Sequence, residues 1–268
     1  MIETTALSPA VGVEVLGAED LLDDVLIAHC VEALKWRGVL LVRGADLDDE
    51  AQLEFSRKLG EVVVLGGQEI FKVSLDPTVN PAAEYLKGTF HWHIDGTTDS
   101  VPIKATMLTA RHVAMLGGGT EFASTYAAYE NLSAADRERY EGLRVLHSVE
   151  ASQLLVNPDL GEAELAMLRA IPTHEKSLVW KRRDGRRSLV IGATAQHIVG
   201  MPAEESRALL DELLRWSTQE RFRYSHQWQV GDLVVWDNTG MLHRALPYDA
   251  SSERRLHRTT IVGEEAFV

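Results

Sequence analysis

Gly231-Asp232-Leu233-Val234-Val235-Trp236-Asp237-Asn238, continuing through Thr239-Gly240 into Met241-Leu242-His243-Arg244, is the stretch that decides the fold. Two short apolar runs, bounded by Gly231 and by an Asn-Thr-Gly turn, read as consecutive strands, because each is too short and too β-branched for a buried helix. Further strand-like runs flank it at 221–228, 241–245 and 255–262, with Pro247 as punctuation. Upstream the same pattern recurs at 11–16, 39–42, 62–65, 70–75, 90–95 and 103–110.

Helical spacing is confined to a few segments. After Asp20, Leu21, Leu22, Val25, Leu26, Cys30, Val31 and Leu34 recur at three- and four-residue steps until Gly38. Asp48-Asp49-Glu50 opens a second amphipathic helix that runs to about Lys58. Ser133 is a plausible cap for another, and 203–218 carries Leu209, Leu210, Leu213 and Leu214 as one buried stripe. Many short strands with a few attached helices predict a mainly β fold with flanking helices (α+β), a jelly roll or related barrel. A doubly wound α/β sheet ranks lower, because the strands after residue 61 are not regularly separated by the helices that parallel crossovers need.

A chain of 268 residues with 45% hydrophobic and 25% charged residues can bury one large core, so 1–268 is expected to be a single domain. The net charge of -13 repels phosphate and speaks against nucleic acid or an anionic membrane as partner. Cys30 is the one cysteine, so no internal disulfide forms and a buried, inert thiol is expected. The start Met1-Ile2-Glu3-Thr4 lacks a basic, then apolar leader, and no run approaches a membrane span, which together predict a cytoplasmic protein.

Candidate chemistry begins at His93-Ile94-Asp95. In a strand these two side chains share a face, so two ligands can meet one ion. With 10 histidines and 40 acidic residues, one such triplet arises by chance about once; alone it reads as a His beside an Asp at the core edge. His243 supplies a third donor. Two histidines and one carboxylate on one face of an octahedral ion leave adjacent open positions, which suits iron(II) with a bidentate cosubstrate and dioxygen. Zinc on the same ligands would instead imply hydrolysis. Arg254 and Arg258 share a face if 253–261 is a strand, and a guanidinium there can clamp a carboxylate; a basic edge strand is the bland alternative. Gly117-Gly118-Gly119-Thr120 lacks the lysine and the strand-loop-helix context of a phosphate loop, which leaves a flexible entry to a strand and a hydroxyl on Thr120.

Taken together, Gly38-Val39-Leu40-Leu41-Val42-Arg43-Gly44, residues 55–65, Trp92-His93-Ile94-Asp95, Gly118-Gly119-Thr120-Glu121-Phe122-Ala123-Ser124, Gly200-Met201, Trp236-Asp237-Asn238, His243 and the Arg254/Arg258 pair resemble the TauD/TfdA family of 2-oxoglutarate-dependent dioxygenases. The resemblance implies a double-stranded β-helix, with His93, Asp95 and His243 as iron ligands. It further implies that Arg254 and Thr120 hold the distal carboxylate of 2-oxoglutarate, and that Arg258 faces an anionic group of the substrate. By the same resemblance the cofactors are Fe(II), 2-oxoglutarate and O2, the reaction hydroxylates a small, anionic organic molecule of the taurine or alkylsulfonate, alkyl sulfate or aryloxyalkanoate class with release of succinate and carbon dioxide, and a homo-oligomer is implied. Between 65 and 90 the chain has no histidine and only Tyr85 among tyrosines, which points away from taurine itself. Glu175 follows His174 where the family commonly has His-Pro. The competing readings are a metal-dependent hydrolase or isomerase on a cupin-like barrel, which has no need of Arg254 and Thr120, and a non-catalytic binding protein on the same scaffold.

Overall fold

The computed structural model describes residues 2–18, 20–64 and 66–267. Met1 of the leader reading and Leu65 of the strand expected at 62–65 lie outside them. The described strands are β1 (Glu3–Ala6), β2 (Val13–Leu16), β3 (Val39–Val42), β4 (Phe71–Val73), β5 (Ala105–His112), β6 (Thr120–Ser124), β7 (Arg144–His147), β8 (His174–Ser177), β9 (Val179–Lys181), β10 (Arg187–Leu189), β11 (Ala195–Ile198), β12 (Arg223–His226), β13 (Leu233–Asp237), β14 (Met241–Ala245) and β15 (Arg255–Ile261).

Seven of them form one large sheet in the order β1-β2-β3-β13-β5-β15-β4, and β12-β6-β14 form a second. The sheet β11-β7-β8 and the ribbon β10-β9 lie outside these two. Among the described residues β2 and β3 are the one parallel pair; the pairs around β5, β6, β13, β14 and β15 are antiparallel. A doubly wound sheet is thereby ruled out, and the protein is a mixed helix and sheet structure around a large antiparallel sheet.

Period-two alternation decides what each face of the large sheet meets. Leu40, Val42, Met107, Leu233, Val235 and Ile261 pack with Leu26, Ile27, Cys30, Phe55 and Leu59 of the helices Asp24–Arg37 and Asp49–Leu59. The opposite residues Leu41, Leu108, Val234, Trp236 and Leu256 pack with Phe122 of β6 and Met241 of β14, which ties the two sheets together. Burying a side chain the size of Phe122 contributes about 2–3 kcal/mol, so this layer holds the frame in which the site sits.

Several local expectations change. The first helix starts at Asp24, later than the pattern that follows Asp20, and is capped by Asp23, whose carboxylate accepts from the amides of Val25 and Leu26. With that start Val25 is 71% and Val31 45% exposed, so only part of the expected stripe is buried. Cys30 is buried, which pushes its thiol up to about 11 and leaves it unreactive. At 62–65 the described part contributes an isolated bridge from Val62 to Ile261 in place of a strand. The expected strand at 90–95 is instead a 3₁₀ turn, Lys87–Phe90, followed by extended chain that touches the sheet at one bridge. The helix Ala203–Ser217 buries Leu209, Leu210 and Leu213 as expected, while Leu214, the fourth leucine of that stripe, is only half-buried. No helix among the described residues is long and apolar enough to cross a membrane.

Candidate active site

His243 lies on β14, packed 4.8 Å from the Trp236 ring. Its backbone fixes His93: the amide of His93 donates to the His243 carbonyl at 3.0 Å, and the amide of His243 donates back at 2.9 Å. The shared-face argument for His93 and Asp95 therefore holds for a different reason than strand geometry, since this bridge sets the imidazoles side by side with centroids 4.2 Å apart. Asp95 then reaches both, 3.8 Å from His93 Nε2 and 3.6 Å from His243 Nε2. One donor atom from each of the three residues lies within 4.8 Å of the others, a spacing that one transition-metal ion can bridge.

The protonation states suit metal binding. Burial and the neighbouring His243 push His93 down to about 4, so its imidazole is neutral near pH 7. Its Nδ1 lies 2.8 Å from the His91 carbonyl, which accepts from it and leaves the Nε2 lone pair facing the site. Burial raises the Asp95 carboxyl, but His243, Arg258 and His93 together outweigh it and hold the group ionised, well below the usual carboxylate range.

A directed hydrogen-bond chain stands behind Asp95. The Trp236 indole donates to Asn238 Oδ1 at 2.9 Å, Asn238 Nδ2 donates to Thr106 Oγ1 at 2.8 Å, and Thr106 donates to Asp95 Oδ2 at 2.9 Å. Indole can only donate, so every direction in this chain is determined. Thr106→Val keeps the volume and removes the last link; we expect Mn(II) affinity, measured by calorimetry, to fall roughly 10-fold or more. An unchanged affinity would show that the chain does not orient the carboxylate.

Two arginines give the cavity its cationic character. All six residues singled out in the sequence, His93, Asp95, Thr120, His243, Arg254 and Arg258, line it. Arg254 is 2% exposed, its Nε donates to the Gly118 carbonyl at 3.0 Å, and its guanidinium carbon lies 4.5 Å from the Tyr248 ring centroid. Among the described residues no carboxylate pairs with it, and burial pulls its pKa down. Such a buried, unpaired cation fits an anionic ligand. Arg258 pairs in register with Leu108, which puts it on the face of the large sheet that meets the second sheet. It lies 5.0 Å from the Phe71 ring centroid, and its Nε has no partner among the described residues.

The glycine run beside Thr120 is explained by crowding. A Cβ on Gly117 would lie 2.2 Å from the Pro247 carbonyl oxygen, and one on Gly118 would lie 2.9 Å from Cδ and Nε of Arg254. Both also have positive φ. The loop is thus a close-fitting cover on Arg254. Sequence reasoning missed Thr106, Asn238 as its partner, Tyr248 and Phe71; the sequence pattern marks Thr106 only as one more β-former in a strand.

The family model described as "Taurine catabolism dioxygenase TauD, TfdA family" matches residues 3–260. The chain is 35% identical to the alpha-ketoglutarate-dependent 2,4-dichlorophenoxyacetate dioxygenase of Cupriavidus pinatubonensis, over 95% of each chain. It is 31% identical to the (S)-phenoxypropionate/alpha-ketoglutarate-dioxygenase of Delftia acidovorans, over 98% of this chain and 95% of that one. Among solved structures, AAD-2 in complex with Mn(II) and N-oxalylglycine superposes with a TM-score of 0.85 at 28% identity, covering 100% of both chains.

Proposed function

The chain belongs to the TauD/TfdA family and is an Fe(II)- and 2-oxoglutarate-dependent dioxygenase acting on a small organic molecule, and from that premise we propose that its substrate is an aryloxyalkanoate or a similarly shaped anion with an apolar body. The observation that carries the substrate reading is Arg258, which no carboxylate among the described residues hydrogen-bonds and whose Nε lacks a partner there, in one cavity with Leu75, Leu86, Phe90 and Leu108 and with His93, Asp95 and His243. An acid with an aromatic or alkyl body matches both halves of that lining, and the two relatives above act on such acids.

In this reading His93, Asp95 and His243 hold iron(II). Bound there, iron supplies the redox chemistry by which dioxygen converts 2-oxoglutarate to succinate and carbon dioxide while one oxygen atom enters a C–H bond of the substrate. Asp95 contributes the negative charge of the three-ligand set, and Thr106 keeps one of its carboxylate oxygens occupied. Arg254, with the Thr120 hydroxyl, receives the distal carboxylate of the cosubstrate; that no carboxylate among the described residues pairs with Arg254 supports this. Arg258 receives the substrate anion, and the leucines and Phe90 keep bulk water off the reacting carbon. Hydroxylation of a carbon that bears aryloxy oxygen gives a hemiacetal-type product, which splits into a phenol and a 2-oxo acid. A hydrolase reading has no use for a buried cation at Arg254.

We also read 1–268 as a single domain and the two facing sheets as a double-stranded β-helix, supported by a family match across 3–260 and by the antiparallel pairing around β5, β6, β13, β14 and β15. The same reading has the protein cytoplasmic.

The test is substrate-stimulated succinate release across aryloxyalkanoates, alkyl sulfates and sulfonates. Stimulation by aryloxyalkanoates is expected; stimulation by sulfonates alone would overturn the substrate class. Arg258→Ala should raise KM for the stimulating acid by about 10-fold or more, the cost of losing a charged hydrogen bond, with KM for 2-oxoglutarate little changed. Equal effects on both would move Arg258 to the cosubstrate side.

A further inference from the structure

Thr120 is 4% and Trp228 9% exposed, and the indole N–H of Trp228 donates to Thr120 Oγ1 at 3.0 Å. A hydroxyl has one proton and indole has no acceptor, so this bond uses a lone pair of Thr120 and leaves the threonine proton uncommitted. Among the described residues no acceptor takes that proton. Thr120 meanwhile lines the cavity together with Arg254.

Both partners are held rigidly. Thr120 is paired with His226 of β12 on one side and Ala245 of β14 on the other, which seats it at the end of a central strand. Trp228 meets the His226 ring edge-on, with centroids 4.5 Å apart and planes at 89°. That imidazole lies with Nδ1 3.1 Å from the Tyr224 hydroxyl and Nε2 3.1 Å from Asp232 Oδ2.

We propose that Trp228 is a positioning residue for the cosubstrate: its N–H occupies the acceptor side of Thr120, so the threonine hydroxyl presents its proton, and not a lone pair, to the distal carboxylate of 2-oxoglutarate. A hydroxyl free to rotate could meet the carboxylate with its lone pairs, and the ligand would then bear the cost of reorienting it. Arg254 supplies charge at this end of the cavity; Trp228 fixes the polarity of the neutral donor beside it. The proposal rests on the assignment of Thr120 and Arg254 to the cosubstrate given above.

Calorimetric titration of the Mn(II)-loaded protein tests it, with 2-oxoglutarate as ligand and pyruvate, which lacks the distal carboxylate, as control. Trp228→Phe keeps most of the ring and removes the donor; it should weaken 2-oxoglutarate binding roughly 3- to 10-fold, the range of one neutral hydrogen bond, and leave pyruvate binding unchanged. In a Thr120→Val background the same change should cost nothing further. Thr120→Ser keeps the hydroxyl under the indole and should bind within about twofold of the parent. Equal losses for 2-oxoglutarate and pyruvate in Trp228→Phe would reduce Trp228 to a packing role and overturn the proposal. So would a Thr120→Ser loss as large as that of Thr120→Val, or full affinity in Trp228→Phe while Thr120→Val is weakened. If Thr120→Val itself binds 2-oxoglutarate normally, the cosubstrate assignment falls instead.

Discussion

Asp95→Ala and His93→Ala each reduce 2-oxoglutarate turnover by on the order of a thousandfold or more, assayed as succinate formed with iron(II) and ascorbate. The metal contributes several kcal/mol to reactions it assists, and each 1.36 kcal/mol is a factor of ten in rate. The three donors lie within 4.8 Å of one another, and removal of either leaves two. Asp95→Ala is the more severe change, because it also removes the one anion between two imidazoles and leaves the Thr106 hydroxyl without its acceptor. Metal titration separates a lost site from a lost fold: a variant that unfolds as sharply as the parent yet binds no Mn(II) is the expected result. Turnover that survives both substitutions would place the iron elsewhere.

Arg254→Leu produces the second large effect, with opposite signs in two measurements. With the guanidinium gone, the cosubstrate carboxylate would enter a buried site without its cation. A charged hydrogen bond is worth about 1.5–3 kcal/mol and an unpaired buried charge costs more, so KM for 2-oxoglutarate should rise by roughly 100-fold. In the absence of ligand the sign reverses. Arg254 is 2% exposed and no carboxylate among the described residues neutralises it, so the free protein bears a buried charge without a counter-ion there. Leucine removes that burden, and the ligand-free variant should melt at a temperature no lower than the parent. Arg254→Lys keeps charge but lacks the planar fork, and should fall between the two in KM. A Leu variant with unchanged KM would exclude Arg254 from the cosubstrate site.

Sequence reading reached the six cavity residues because each belongs to a chemically distinctive type in a spaced pattern: two histidines, a carboxylate, a threonine after three glycines and two arginines four apart. The alternation at 90–95 predicts a strand carrying His93 and Asp95, yet the chain there is held at a single bridge, because the 3₁₀ turn Lys87–Phe90 lies just before it and a turn begins at Asp95. Arg254 and Arg258 were expected on one strand face, but β15 starts at Arg255 and its register shifts between Arg255 and Leu256, so Arg254 reaches the cavity from the approach to the strand.

The supporting residues were illegible for a physical reason. Thr106 and Trp228 have the composition of ordinary strand-forming residues, and their importance comes from partners at 95, 238 and 120 that only the folded chain brings near. Between 140 and 200 the helices Val149–Val156 and Glu162–Arg169 escaped notice because neither has a buried stripe; among the described residues no side chain of either helix is fully buried. Periodicity reports burial, and a helix that lies on the surface gives little of it.

The reciprocal amide bonds between His93 and His243 carry one last implication. The spacing of the two imidazoles is written into main chain, where no side-chain exchange can erase it, whereas the wall formed by Leu75, Leu86 and Phe90 hangs from a three-residue edge strand and short turns. Inheritance can therefore rewrite what enters the chamber while its reactive centre keeps its dimensions, and a designer who recombines residues 73–90 works with the same division of labour.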